Sequence, residues 1–191
     1  MKKIIWVFGE AGSGRKTLIQ NILNNNDNIR EELGLTDQNI TVAKETIEKH
    51  DRRIMDTHET LERNKELLNS IEQFANSDND ILLVKGQYSD LEHGYSSMQT
   101  KITKNHPELD KEFYLLEVKD LDLLYERMIN QDWFKNNYKK NIERFPKSWI
   151  SISVNHLKNE INEYEEQGYK VTEIDTTDGY IIENQEPKKR R

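Results

Sequence analysis

The chain has 191 residues, a formal net charge of -7, 34% hydrophobic and 33% charged residues, and no cysteine. That composition excludes a disulfide framework and thiolate metal sites, gives no global positive field to attract nucleic acid, and, because the apolar residues fall in short dense runs, argues against disorder. The length suits one α/β domain, expected over residues 1–186 with a lid-like segment at about 127–146. Pro187-Lys188-Lys189-Arg190-Arg191 is expected to be a solvated basic tail.

Five apolar runs read as strands: Ile4 to Phe8, Ile40 to Ala43, Ile81 to Val84, Phe113 to Val118 and Lys170 to Ile174. The first is only five residues long and runs into Gly9-Glu10, too short for a signal sequence. No stretch approaches the ~20 apolar residues of a membrane span, so a soluble, cytoplasmic protein is expected. Longer polar segments between the runs carry helical periodicity. Leu18, Ile19, Ile22 and Leu23 follow Thr17 at helical spacing and stop at the Asn-rich stretch 24–28. Further helices are expected over Ile54 to Ala75, over Leu121 to Ile129 with Asp120 as N-cap, and over Lys147 to Glu166 with Gly168 closing the last. Strands alternating with helices of this length predict a parallel sheet covered on both faces.

The segment Gly9-Glu10-Ala11-Gly12-Ser13-Gly14-Arg15-Lys16-Thr17 lies between the first strand and the first helix, which is where a phosphate-binding loop belongs. Glycines let successive backbone N–H groups turn inward around phosphate oxygens, and the helix N-terminus adds its partial positive charge. The segment resembles the P-loop of small nucleotide and metabolite kinases, with one departure. Where that family has lysine this chain has Arg15, and where it has the hydroxyl that helps hold magnesium this chain has Lys16; Thr17 comes one place later. Either Arg15 takes the phosphate-bridging role, or a one-residue shift of the helix start puts Lys16 and Thr17 into the usual Lys-[ST] roles, with Thr17 as the metal ligand. Arg15 is preferred, because Gly14 fixes the register and a guanidinium fork can bridge two phosphate oxygens.

The resemblance implies a three-layer P-loop NTPase fold with a five-stranded parallel sheet in the order 2-3-1-4-5 and a helical lid. It also implies an ATP- or GTP-dependent phosphotransferase acting on a nucleoside, nucleotide or nucleic-acid acceptor, with Mg2+ as cofactor. Beyond the loop it implies roles by position alone. Glu45 and Asp51 are candidates for the base that accepts the acceptor's proton, and Arg52 and Arg53 for holding a phosphate on the substrate. Gln87, just past the third strand, faces the crevice where open α/β sheets bind ligands. Arg127, and after it Arg144, are candidates to neutralise the transferring phosphoryl group as the lid closes. Thr176, Thr177 and Asp178 follow the last strand and are expected to touch the nucleotide base.

No acidic residue ends the third strand, which reads Val84-Lys85-Gly86-Gln87, and the histidines at 50, 58, 93, 106 and 156 have no metal-ligand spacing. Asn- and Lys-rich composition would fit a bacteriophage nucleotide or DNA-modification kinase. The competing expectation is a nucleotide-binding regulator that has lost magnesium-dependent chemistry along with the missing residues. A GTPase switch fits less well, since no Asn-Lys-x-Asp segment is present.

Overall fold

The run at the start of the chain is hydrophobic at every position because it is covered from both sides, the usual condition of a parallel strand in the middle of a sheet. In a computed structural model, which describes residues 1–44, 57–85, 105–132, 134–135 and 146–183, this run is β1, Lys3–Gly9. Parallel partners flank it: β3, Ile81–Lys85, on one side and β4, Asp110–Glu117, on the other. Outside these lie β2, Ile40–Val42, next to β3, and β5, Lys170–Asp175, next to β4.

A sixth strand, β6, Ile181–Glu183, pairs antiparallel with β5, so the order is β2-β3-β1-β4-β5-β6. The expectation of five parallel strands in the order 2-3-1-4-5 is corrected on this point: the sheet has six strands and is mixed. Three residues with an exposed Ile181 carry no readable alternation. The short return after Asp175, through Gly179 at φ +128°, nevertheless brings them back onto the edge.

Helices cover both faces. On one, α1, Arg15–Asn24, sets Leu18, Ile19 and Ile22 against Ile5 and Val7 of β1. On the other, α3, Thr57–Ala75, and α5, Ser148–Glu166, bring Ile71, Phe74, Leu157, Ile161 and Tyr164 against Ile4, Trp6 and Phe8. Odd and even residues of β1 thus serve separate cores, and each fully buried aliphatic or aromatic side chain contributes roughly 1.5–3 kcal/mol of transfer free energy. Phe113 stacks on Tyr164 at 4.5 Å between ring centroids, joining β4 to α5.

Local chemistry sets the helix ends. Asn25 closes α1 in the left-handed region at φ 52°, a conformation Asn enters more readily than other side-chain-bearing residues. The short α2, Ile29–Glu32, which no periodicity announced, follows and buries Ile29. Asp120 caps α4, Leu121–Ile129, its carboxylate accepting from the N–H groups of Asp122 and Leu123. Gly168, at φ +91°, ends α5 as expected. β4 begins three residues earlier than its apolar run because Glu112 is buried between Lys3, at 2.6 Å, and Lys170, at 2.5 Å. Residues 133, 136–145 and 187–191, which take in most of the expected lid and all of the basic tail, lie outside the described residues.

Candidate phosphate-binding loop

β1 delivers Gly9 to the carboxyl edge of the sheet between β3 and β4, one neighbour on each side. At such a point, where the connections diverge, open α/β sheets leave a crevice for ligands. The backbone at Gly9, Gly12 and Gly14 has φ of +147°, +91° and +90°, values that side-chain-bearing residues rarely adopt. Gly14 is the N-cap of α1, and Arg15 is its first residue, with Leu18 N–H donating to Gly14 C=O at 2.9 Å to close the first turn. The N–H groups of Arg15, Lys16 and Thr17 therefore precede the first intrahelical bond, and a helix leaves such groups to outside acceptors. A Cβ at Gly14 would have nothing within 4 Å, so the space beside the helix start is open.

The loop is held on every side. Gly9 lies so close to Ser13 Oγ that a Cβ there would overlap it, and it would also come within 2.9 Å of Leu116 C=O. Gly12 packs on α4, where a Cβ would meet Met128 N at 3.1 Å and Arg127 Cβ at 3.2 Å. Glu10 accepts a hydrogen bond from Ser153 of α5 at 2.6 Å. Ser13 N–H donates to Glu10 C=O at 3.0 Å, and Ser13 C=O accepts from the Thr176 hydroxyl at 2.9 Å.

Of the side chains singled out in the sequence, the structure puts Gly9 to Thr17 together with Arg127, Thr176 and Thr177. Arg15 is buried at 9% exposure, whereas Lys16 and Thr17 are exposed on the first turn of α1. The helix thus starts where Gly14 places it, with Arg15 directly after the positive-φ glycine. Arg127 differs from the expected lid arginine. Its guanidinium donates to Thr176 C=O at 2.8 Å and Thr177 C=O at 2.7 Å, so its fork is spent on the connection after β5. Thr176 also differs from a base contact, being buried with its hydroxyl on Ser13 and Glu117 carbonyls. Glu45, Asp51, Arg52, Arg53, Gln87 and Arg144 lie outside the described residues.

The connection after β5 is a structured unit that the sequence reading missed. Asp175 accepts from both the N–H and the hydroxyl of Thr177, at 2.9 and 2.6 Å. Those bonds, the hydroxyl first, and Lys119 nearby hold its carboxyl below the usual carboxylate range. Lys119 N–H donates to Thr177 Oγ1 at 2.9 Å, and its ammonium pairs with Glu183 and, less strongly, Asp175, which raises its pKa. An Asp-x-Thr at a strand end is the one local signal that pointed here, since Asp side chains commonly bond the backbone two residues on.

The donor set at the loop, helix-start N–H groups beside Arg15 and Lys16, fits an anion. Thr17 offers one exposed hydroxyl beside Lys16, and among the described residues no three His, Asp or Glu side chains gather as a metal site. Among the described residues, too, no helix is long and apolar enough to cross a membrane.

No family model matches the chain and no curated protein matches it in sequence. Solved structures do resemble it. One is a chain from the PezAT chromosomal toxin–antitoxin system of Streptococcus pneumoniae, 16% identical, with a TM-score of 0.52 over 98% of this chain and 75% of that one. Another is the YGR205w protein, 14% identical, with a TM-score of 0.44 over 97% of this chain and 91% of that one. At these identities the likeness concerns the fold alone, which the first shares as an α/β arrangement.

Proposed function

We propose that the chain binds a nucleoside triphosphate, ATP or GTP, at residues 9–17 and transfers its γ-phosphoryl group to a nucleoside, nucleotide or nucleic-acid acceptor. The observation that carries this is the strand–loop–helix unit itself: three positive-φ glycines at the carboxyl edge of a central parallel strand, followed at once by a helix start with open space beside it. The N–H groups of the first turn of α1 have no intrahelical acceptor there, and Arg15 and Lys16 add two cations to the same turn. Charge developing on a transferring phosphoryl group is what such a cradle stabilises. Arg15 is the residue proposed to bridge the phosphates, with Lys16 neutralising them from the exposed side. Glu45 or Asp51 as base, Arg52, Arg53, Gln87 and Arg144 as acceptor contacts, and Thr177 and Asp178 near the base complete the proposal. Magnesium bound with the triphosphate would add its charge to that of Arg15 and Lys16 on the same phosphates.

A second reading, a nucleotide-binding regulator without turnover, is favoured by one observation: a cation, Lys16, stands exposed at the helix position where a metal-holding hydroxyl would serve. The two separate in one experiment. Nucleosides, nucleotides and oligonucleotides are incubated with labelled ATP or GTP, with and without magnesium, while calorimetry follows nucleotide binding. Label transfer to an acceptor, abolished by Arg15→Ala, supports the phosphotransferase. Binding with no transfer to any acceptor and no response to magnesium supports the regulator. Absence of triphosphate binding by the folded protein refutes both.

A further inference from the structure

Thr176 stands outside the loop, yet its hydroxyl reaches into it. Its one hydrogen has two candidate acceptors, Ser13 C=O at 2.9 Å and Glu117 C=O at 3.1 Å. Glu117 C=O already accepts from Thr176 N–H at 2.7 Å, whereas Ser13 C=O has no other donor among the described residues. The hydroxyl hydrogen therefore belongs to Ser13, in a contact buried from solvent. That carbonyl is half of the Ser13–Gly14 peptide. Among the described residues no peptide bond is cis, so the C=O and N–H of this unit point in opposite directions. Fixing Ser13 C=O toward Thr176 fixes Gly14 N–H away from it, and the space beside Gly14 is open. Glycine on either side of Ser13, at positions 12 and 14, leaves this peptide unusually free to rotate unless something holds it.

We infer that Thr176 is a positioning residue for the phosphate cradle: its hydroxyl locks the Ser13–Gly14 peptide so that Gly14 N–H is presented to the bound phosphates. The inference rests on the proposal that residues 9–17 bind a triphosphate, and it moves Thr176 from the nucleotide base to the loop. Thr176 is itself held for this task. Arg127 fastens its carbonyl, and Asp175 fixes the residue after it through the Thr177 N–H and hydroxyl.

The test compares Thr176→Val, which keeps the shape and removes the hydroxyl, with Thr176→Ser, which keeps the hydroxyl. Calorimetry measures ATP and inorganic tripolyphosphate, with circular dichroism and thermal melting to check the fold. A hydrogen bond to a charged group is at stake, so Thr176→Val is expected to weaken both ligands by roughly tenfold or more, and by the same factor. Thr176→Ser should restore both to within about threefold, a rescue that does not follow from loss of packing. Should Thr176→Val fail to fold, Thr176→Cys, with its weak S–H donor, should give an intermediate loss for both ligands. A variant that weakens ATP and leaves tripolyphosphate unchanged overturns the inference in favour of a base contact. So does a valine or cysteine variant that binds both as the parent does, or a parent that binds ATP and not tripolyphosphate. A parent that binds neither ligand refutes the triphosphate site itself, and with it this inference.

Discussion

Gly9→Ala probes the tightest point of the loop, and Gly14→Ala supplies its control. Both residues have positive φ, +147° and +90°, so both substitutions carry backbone strain of roughly 1–2 kcal/mol, less about 0.4–1 kcal/mol regained from a stiffer unfolded chain. They differ in space. The added methyl at Gly14 meets nothing within 4 Å, whereas at Gly9 it overlaps Ser13 Oγ and comes within 2.9 Å of Leu116 C=O. Leu116 is buried in β4, its carbonyl belongs to the sheet, and Ser13 is 1% exposed, so neither neighbour can retreat. Overpacking of this kind costs about 1–3 kcal/mol more. Gly9→Ala is therefore expected to destabilise by about 2–4 kcal/mol, and Gly14→Ala by roughly 1 kcal/mol, in urea unfolding at fixed pH. Adding Ser13→Ala to Gly9→Ala removes one of the two overlaps and should recover part of the loss. Equal unfolding midpoints for Gly9→Ala and Gly14→Ala would refute the packing described for the loop.

Arg127→Ala should lower stability by about 2–4 kcal/mol, since two carbonyls lose a charged donor, and Arg127→Lys should restore less than half because a single ammonium cannot span both; full rescue by lysine in a urea titration would show that the fork is irrelevant. The Asp175 carboxyl, held below its ordinary range by Thr177 and Lys119, contributes stability that is fully present above about pH 5 and lost as pH falls through its folded value. Urea midpoints taken between about pH 6 and pH 2.5 should therefore fall less steeply for Asp175→Asn than for the parent, and an identical slope would discount the group. In the loop, Arg15→Ala should weaken triphosphate binding by a hundredfold or so, Lys16→Ala by about tenfold, and Lys16→Ser should bind with stronger magnesium dependence than the parent. Calorimetry finding Arg15→Ala nearly silent and Lys16→Ala severe would instead favour Lys16 and Thr17 as the functional pair.

Where hydropathy and caps decide the structure, the sequence was legible. The five apolar runs became β1 to β5 within three residues at each end; β1, β3 and β4 are buried almost continuously in the middle of the sheet, so they read as unbroken apolar runs, whereas β2 lies at the edge with Val42 exposed. Asp120 and Gly168 marked α4 and α5 through mechanisms that act over three or four residues. Polar burial was not legible. Glu112 extends β4 only because Lys3 and Lys170, far away in the chain, neutralise it. Nor was β6, which forms because β5 offers an unpaired edge and the chain turns back at Gly179. A three-residue strand of that origin has no pattern of its own to read.

The loop divides in the same way. Its glycines are visible because no other residue takes those φ values, and its place between strand and helix follows from the neighbouring hydropathy. Apart from the Glu10 carboxylate, which accepts from Ser153, what holds it is built from carbonyls: Ser13 C=O to Thr176, Glu10 C=O to Ser13, Leu116 C=O against Gly9, Thr176 C=O and Thr177 C=O to Arg127. Every residue carries a carbonyl, so such partners leave no compositional trace. An arginine read by analogy as free to meet a phosphate is therefore found fastening backbone, and a threonine read as a base contact is found bracing the loop. Thr176 meets the loop directly at Ser13 C=O, and Arg127 holds Thr176 there through its carbonyl. Their loss should show first as disorder of the Ser13–Gly14 peptide, with the cations on α1 still in place.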